Sequence, residues 1–557
     1  MESTATWTPI AKIQGNNLES PLADQEVTTR GVVTGSTRKG FFIQDPRRHE
    51  DPTVSTAVFV FRLGSKPRRG TVAQVTGKVV NFVARDNDRP TTQVLGDEIE
   101  VVSEEGREIA PIWLNADNLP RDGLELARFL NGLEGMLVGI GAGATFIAPS
   151  NPFGDYVVLP DGMEGVRRTE HGGVLIDPEV PDRWFPGFRI LDYARAPQLN
   201  VGAKLLLPVV GPLNYRAASY QVAAQDTIAI RDQPITLETS SLTADDAKIT
   251  VMTLNSFNLD PKVEDAALVN DPNRDIDDDV GNGRFKKLAE AVVEQAGAPD
   301  ILALQEIQDS DGAEQSGNVD ASETYRHLIK AIQEVGGPVY EAADVPPVAG
   351  ADGGQPGGNI RNGFLFDPAR VELIAGTLHE RGRGEAAFED SRKVLVGHFR
   401  KRASGQRLAL INVHLASKRQ QYSLFAPIDP GHDPRLERRV QQAQAIREYL
   451  LELREQGTSY YVTGDFNDFE FSDTLRELCG TESVNLVETL PLADRYDYNH
   501  RGLSQVLMHG IVSSEEAEAG RIEYEILHGN ELLGTRPGDL GDKPTDHAYV
   551  LAAFAGS

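Results

Sequence analysis

The chain has 557 residues, 40% hydrophobic and 25% charged, a globular composition long enough for about three domains of ~150 residues each. A formal net charge of -28 excludes a generally basic nucleic-acid-binding coat, so a phosphate substrate must be held locally by a few Arg, Lys or His side chains or by a metal. Cys479 is the one cysteine, which excludes an internal disulfide framework and a Cys-based zinc site. That usage fits the cytosol and equally a disulfide-free exported protein. Met1 to Gly15 has no apolar h-region, and no run of about 18 apolar residues occurs.

Taken in chain order, residues 20 to 105 read as five short strands: 26–35, 40–44, 56–61, 71–80 and 91–102. Turn residues separate them, which predicts a small β-barrel of the OB type over residues 1–110. Arg38, Lys39, Arg47, Arg48, Arg62, Lys66, Arg68 and Arg69, with Phe41 and Phe42, form a local basic and aromatic cluster suited to single-stranded nucleic acid. Residues 111–240 hold one helical signal, Gly123 to Leu133, and strand signals at 136–140, 156–159, 203–210 and 220–224. Heavy Gly, Pro and Asn punctuation there predicts a second β domain, another OB-like barrel. Thr239 to Lys248 reads as a polar linker.

From Ile249 the pattern alternates between strands and helices over residues 248–557, an α/β domain. Strands are predicted at 249–254, 301–304, 363–366, 395–400, 408–413, 460–463 and 548–554. Helices are predicted at 285–295, 325–335 and 436–455. The loop 260–283 carries Asp275, Asp277, Asp278 and Asp279; Val280 and Lys286 break the EF-hand pattern, so a solvated acidic loop is expected, with a non-EF calcium site as the alternative. Gly350, Gly353, Gly354, Gly357 and Gly358 form a glycine-rich loop without the lysine of a P-loop.

The strand ends carry the chemistry. Val251–Asn255, Ile301–Glu306, Ile411–His414, Tyr460–Asp465 with Asn467, and Asp546-His547 before the last strand each place polar groups at the end of an apolar run. Phosphodiester hydrolysis needs neutralised phosphate charge, an activated water, in-line geometry and a protonated leaving group. Glu306 and Asp546 are hard oxygen ligands for Mg²⁺ or Mn²⁺, with Ca²⁺ as an alternative, and Asn255 is a neutral helper. Asp465 suits a base or water-positioning group, and Asn467 lies two residues on, on the same side of an extended segment. His414 and His547 can donate to the phosphate.

These motifs resemble the endonuclease/exonuclease/phosphatase superfamily. The runs Asp300–Asp309, Asp352–Arg361, Asn485–Pro491 and Gly502–Leu507 resemble its bacterial extracellular-nuclease branch, which also places OB-like domains ahead of the catalytic one. The resemblance implies a four-layered αββα sandwich and metal-dependent hydrolysis of DNA, with RNA as a second polymer. It implies export or surface display. By this resemblance Glu306, Asn255 and Asp546 hold the metal, Asp465 and Asn467 position water and phosphate, and His414 and His547 contact phosphate. Arg361, Arg392 and Asn258 are the candidate substrate contacts. Alternative readings are a phosphatase or phosphodiesterase for a small or lipid phosphoester, and a binding protein that keeps the nuclease shell.

Three positions depart from the family pattern. Met508 stands where relatives carry the aspartate that orients the last histidine, so His547 is expected to lack its carboxylate partner and the activity to be reduced. Ala548-Tyr549 replaces the usual Asp-Pro. Asn362 stands where an apolar residue is usual.

Overall fold

The computed structural model describes residues 7–106, 108–163, 165–537 and 543–556. Strands Glu26–Ser36, Gly40–Gln44, Ala57–Phe61, Val72–Phe82 and Thr91–Ser103 close into a barrel, in the spatial order first, second, third, fifth, fourth. The third and fifth run parallel and the remaining neighbours antiparallel. Alternating apolar residues such as Val75, Val79 and Val94 fill it, and Ile10 and Ile13 of a short helix plug one end.

The aromatic pair expected to stack on bases does not face solvent. Phe41 lies in the barrel core, and Phe42 is covered from outside, where Gly135 of the next unit approaches its ring. That next unit docks on the barrel through a buried ion pair, Arg89–Glu134 at 2.6 Å. Backbone N–H groups of Ser36 and Leu137 add hydrogen bonds to Gln225 and Gln44. The second unit also corrects an expectation. It is a nine-stranded sheet running from Ile112–Trp113 to Ile230–Arg231 and not a second closed barrel. Its Gly and Pro punctuation cuts several strands to two residues, too short to wrap and close.

The third unit is a sandwich of two sheets with helices outside. One sheet has six strands, ordered Glu341–Asp344, Arg361–Phe366, Ile301–Ile307, Lys248–Leu259, Tyr549–Ala555 and Ile522–Leu527. The other centres on Val394–Lys401, Arg407–His414, Tyr460–Asp465 and Met508–Ser513. Helices Arg284–Glu290 and Ser322–Glu334 cover the first sheet, with Phe285, Leu288, Leu328 and Ile332 packed on Leu302 and Leu304. Leu436–Glu455 and Asp473–Cys479 cover the second through Ile446, Leu450 and Leu478. Ile249, Val251, Ala303, Phe364, Leu410 and Tyr461 fill the space between the sheets. The central strands read as continuous apolar runs because both faces are buried. Among the described residues no helix is long and apolar enough to cross a membrane.

Hydrogen bonds cross this apolar layer and fix how the sheets slide. Thr253 and Thr463 hydroxyls meet at 2.6 Å. Gln305 donates to the Asn412 Oδ1 at 2.7 Å, and the Asn412 amide donates to the carbonyls of Leu304 and Gly363 at 2.9 and 3.0 Å. Asn362, the unusual polar residue, donates to the carbonyls of Lys393 and Asn412. Replacing the fully buried Asn412 strands the Gln305 amide and two carbonyls. Asn412→Leu should lower unfolding free energy by about 3 kcal/mol in denaturant titration, whereas the same change at an exposed asparagine costs little.

Candidate active site

Two parallel strand pairs end side by side. Asn255 lies opposite Gln305 on one sheet, and His414 opposite Asp465 on the other. Glu306 departs from strand geometry with φ 57, as does Asn467 with φ 52, and both turns aim a polar side chain at the shared opening. The Asn255 amide donates to Glu306 Oε1 at 3.3 Å and to Asp465 Oδ2 at 3.2 Å, so one side chain ties the sheets together. Thr545 in turn donates to the Asn255 carbonyl at 2.7 Å. Asp465 Oδ1 accepts from the Asn467 backbone N–H at 2.8 Å.

Glu306, Asp465 and His414 offer ligand atoms that all lie within 4.8 Å of one another. His414 Nε2 stands 3.7 Å from Glu306 and 3.6 Å from Asp465, too far for hydrogen bonds. Burial, with Arg392 and His547 nearby, holds the His414 pKa well below the ordinary range, so the ring is neutral despite its acidic neighbours and free to act as a ligand or donor. Burial raises the pKa of Glu306, and the charges of Asp546 and Asp465 raise it further. Asp465 is also raised by burial, against the lowering pull of His547. This tight group differs from the expected trio, because His414 and Asp465 sit with Glu306 where Asp546 was expected. Asp546 keeps 29% of its side chain exposed and approaches His547 Nε2 at 4.0 Å.

The missing carboxylate is present at another position. His547 Nδ1 lies 2.9 Å from Asp497 Oδ1, and the other Asp497 oxygen accepts from the backbone N–H groups of Leu507 and Met508 at 2.7 and 2.9 Å. The expectation that Met508 leaves His547 without an acid is therefore wrong. Met508 is fully buried among Val487, Val506, Ile526 and Val550. Burial alone would lower the His547 pKa, but the Asp497 hydrogen bond and the charges of Asp546 and Asp465 push it up to about 10. Tyr498 stacks on the imidazole at 4.8 Å between centroids and walls its other face. Asp497 and Tyr498 escaped the strand-end pattern because the one precedes and the other opens a three-residue strand, Tyr498–His500; the one available signal was an acid set between Tyr496 and Tyr498.

Arg392 and Asn467 share an acceptor. The Leu415 carbonyl takes Arg392 Nη2 at 2.7 Å and Asn467 Nδ2 at 3.1 Å, which places the guanidinium beside the carboxylates. Arg361 is not brought there. It bonds the carbonyls of Val319 and Asn359, faces Asp344 at 3.4 Å, and lines a separate hollow of about 550 Å³ with Tyr325. Its strand neighbour Asn362 points between the sheets, so Arg361 must point to the helix layer. Asn258 is half-buried in the left-handed region, φ 55, near the end of the Lys248–Leu259 strand beyond Asn255.

The acidic loop is not a solvated face. Asp279 is buried against Arg284, and Asp260, Glu264 and Asp277 offer oxygens within 4.8 Å of one another. Burial and mutual repulsion raise Asp260 to about 9 and Asp277 to about 7.

The His547–Asp497 pair yields a signed prediction. The folded-state pKa lies above the unfolded value, so its stabilisation is complete below about pH 6.5 and is lost as pH rises toward 10. In metal-free protein, imidazole NMR should find His547 protonated at pH 7, and Asp497→Asn should drop its pKa toward 6.5. Met508→Asp should give no gain in activity and a lower melting temperature, because it buries a second carboxylate beside Asp497.

The model for the Endonuclease/Exonuclease/phosphatase family matches residues 266–535. A domain of unknown function (DUF8508) matches residues 121–232. No curated protein matches the chain. Solved structures that are similar include D. rerio TDP2 complexed with a single-strand DNA product, 14% identical, covering 56% of this chain and 99% of that one, with a TM-score of 0.35. The human Nocturnin catalytic domain with bound sulfate is 15% identical, covering 56% and 94%, with a TM-score of 0.35. The Bacteroides thetaiotaomicron mannosyl-6-phosphatase is 15% identical, covering 55% and 98%, with a TM-score of 0.33.

Proposed function

We propose that this member of the endonuclease/exonuclease/phosphatase superfamily is a divalent-metal-dependent phosphodiesterase, a nuclease that hydrolyses DNA and accepts RNA as a second polymer. The observation that supports it most is the meeting of Glu306, Asp465 and His414 with an Asp497-oriented His547 at one opening. Carboxylates this close together, Asp465 buried and Glu306 partly exposed, are relieved by a cation, and the mixed carboxylate, amide and imidazole set suits Mg²⁺ or Mn²⁺, with Ca²⁺ as the alternative. Glu306, Asp465 and His414 would hold it, with Asn255 steering both carboxylates and Asp546 at the rim. When bound, such a cation neutralises phosphate charge and lowers the pKa of water.

The chain's own groups supply the rest. Asp465, its Oδ1 accepting from the Asn467 N–H and its Oδ2 from the Asn255 amide, is fixed in the orientation from which it would position the attacking water. His547, aimed by Asp497, is placed to donate to a phosphate oxygen as charge develops. Arg392 adds a fixed positive charge, and Asn467 places its amide beside the same phosphate position. A carboxylate that orients its histidine favours an active enzyme over a binding protein that has lost its chemistry.

Supercoiled plasmid should be nicked in Mg²⁺ or Mn²⁺ and left intact in EDTA. Glu306→Ala, Asp465→Asn and His414→Ala should each reduce turnover by about 10²–10⁴-fold while thermal melting shows a folded chain. No cleavage of plasmid, single-stranded DNA or RNA under any divalent metal would overturn this reading.

A further inference from the structure

Two histidines and two glutamates meet where the second unit docks on the sandwich, and none takes part in the chemistry described above. His171 sits in the turn that leads into Val174–Leu175, the strand of the second unit that pairs with Leu503–Gln505. Glu238 lies on the segment that connects the two units. His528 and Glu531 follow the strand Ile522–Leu527. His528 Nδ1 stands 3.1 Å from Glu531 Oε1, and the His528 backbone N–H donates to Glu238 Oε2 at 2.8 Å. His171 Nε2 approaches the other Glu238 oxygen at 3.6 Å, and the two imidazole centroids lie 6.5 Å apart.

Charge balance makes this cluster sensitive to protons. The Glu531 side chain is fully buried, and among the described residues its one ion-pair partner is His528. Lys543 reaches only the Glu531 backbone carbonyl, at 3.4 Å, and Asp494 of the turn Leu492–Asp494 adds negative charge nearby. When His528 loses its proton, Glu531 keeps a buried charge without a counter-ion in contact, which is costly. Burial lowers the His528 pKa, but the Glu531 hydrogen bond and the charges of Glu531, Glu238 and Asp494 more than offset it and hold the pKa above its ordinary value. The Glu238 contact raises His171 likewise, against its burial and the charge of His528. His528 Nε2 has no partner in either state, so the Nδ1 side decides which form is favoured.

The same residues touch the segments that aim His547. Tyr496 is buried, stacks on the His528 ring at 3.9 Å between centroids, and packs with Leu175 and Val201 of the second unit. The next residue is Asp497, the acid that orients His547. Asn530, between His528 and Glu531, donates to the carbonyls of Thr545 and His547 at 2.5 and 2.8 Å. We propose that His171, Glu238, His528 and Glu531 form a proton-held clasp that docks the second unit and, through Tyr496 and Asn530, positions His547. All four are positioning residues. Their effect on turnover rests on the phosphodiesterase reading; the clasp itself does not. Both histidines have folded-state pKa values above the unfolded ones, so the stabilisation is complete below about pH 6.5 and is lost as pH rises through the raised values.

The test compares the full chain with Glu531→Gln, which keeps the side chain's size and removes its charge. In metal-free protein, imidazole NMR should find His528, assigned through His528→Gln, titrating above about 6.5 in wild type and lower in Glu531→Gln. Wild type should melt higher than Glu531→Gln at pH 6, and the gap should close by pH 9. The low-field Nδ1 proton of His547, which Asp497→Asn abolishes, should exchange with water faster in Glu531→Gln than in wild type at pH 6. With Mn²⁺ and supercoiled plasmid, the ratio of wild-type to variant kcat should be about tenfold at pH 6 and approach one at pH 9, with KM unchanged. Taking the ratio cancels the titration of metal-bound water. A His528 that titrates below about 6.5 in wild type, or a melting gap equal at both pH values, overturns the clasp. Equal exchange of the His547 proton overturns its link to the site. Wild type that cleaves no plasmid overturns the phosphodiesterase reading alone, because NMR and melting decide the clasp.

Discussion

The site exists because two sheets meet with their strand ends level. Glu306 and Asn255 belong to one sheet, His414 and Asp465 to the other, and no covalent link sets their relative height. Apolar packing cannot set it either, since hydrophobic burial is non-directional. Thr253–Thr463, Gln305–Asn412 and the two carbonyl contacts of Asn412 can, because hydrogen bonds tolerate little sliding. A shift of one ångström would break them and leave buried polar groups unpaired, at a cost of about 1–3 kcal/mol each. Asn255 then repeats the device at the strand ends by donating to both Glu306 and Asp465.

The orientation of His547 depends on a longer chain of contacts. Asp497 precedes the hairpin of Tyr498–His500 and Leu503–Gln505. A strand of the second unit, Val174–Leu175, pairs in parallel with that hairpin, and Asn499 donates to the Ile147 carbonyl of the same unit. The second unit thus completes a three-stranded sheet whose edge carries the orienting acid. Arg501 reaching the Ala217 carbonyl and Ser423 reaching the Ala218 carbonyl seat it further. Phe425 buries its ring in the second unit's core, against Tyr220. The β units therefore support the geometry of the candidate site. The barrel face carrying Phe42 is given over to holding its neighbour.

The sandwich was legible because both faces of its central strands are buried, which leaves long apolar runs ending on polar residues. His414, Asp465 and Glu306 stood out for that reason. The second unit was misread because strands of two or three residues carry no periodicity, so their pairing is decided by contacts distant in sequence. Met508 misled for a related reason. Sequence shows which position lost an acid but not which distant acid comes to the same place, and Asp497 reaches His547 across fifty residues. Phe41 and Phe42 look alike in a strand; only barrel closure and domain docking decide that both are buried.

Charge distribution joins these points. A net charge of -28 looks incompatible with a polyanionic substrate when it is averaged over the whole surface. Fields act locally, however, and exposed charges beyond about 8–10 Å are screened at physiological salt. Near the opening the acids are consumed in pairs: Asp468 and Asp433 by Lys418 and Arg439, Asp497 by His547. What remains at the opening is the group of Glu306, Asp465 and His414, whose spacing could hold a metal ion, with the Arg392 guanidinium beside it. That arrangement fits a substrate whose phosphate bridges the two. The distant acidic surface is then compatible with an anion held locally at the opening.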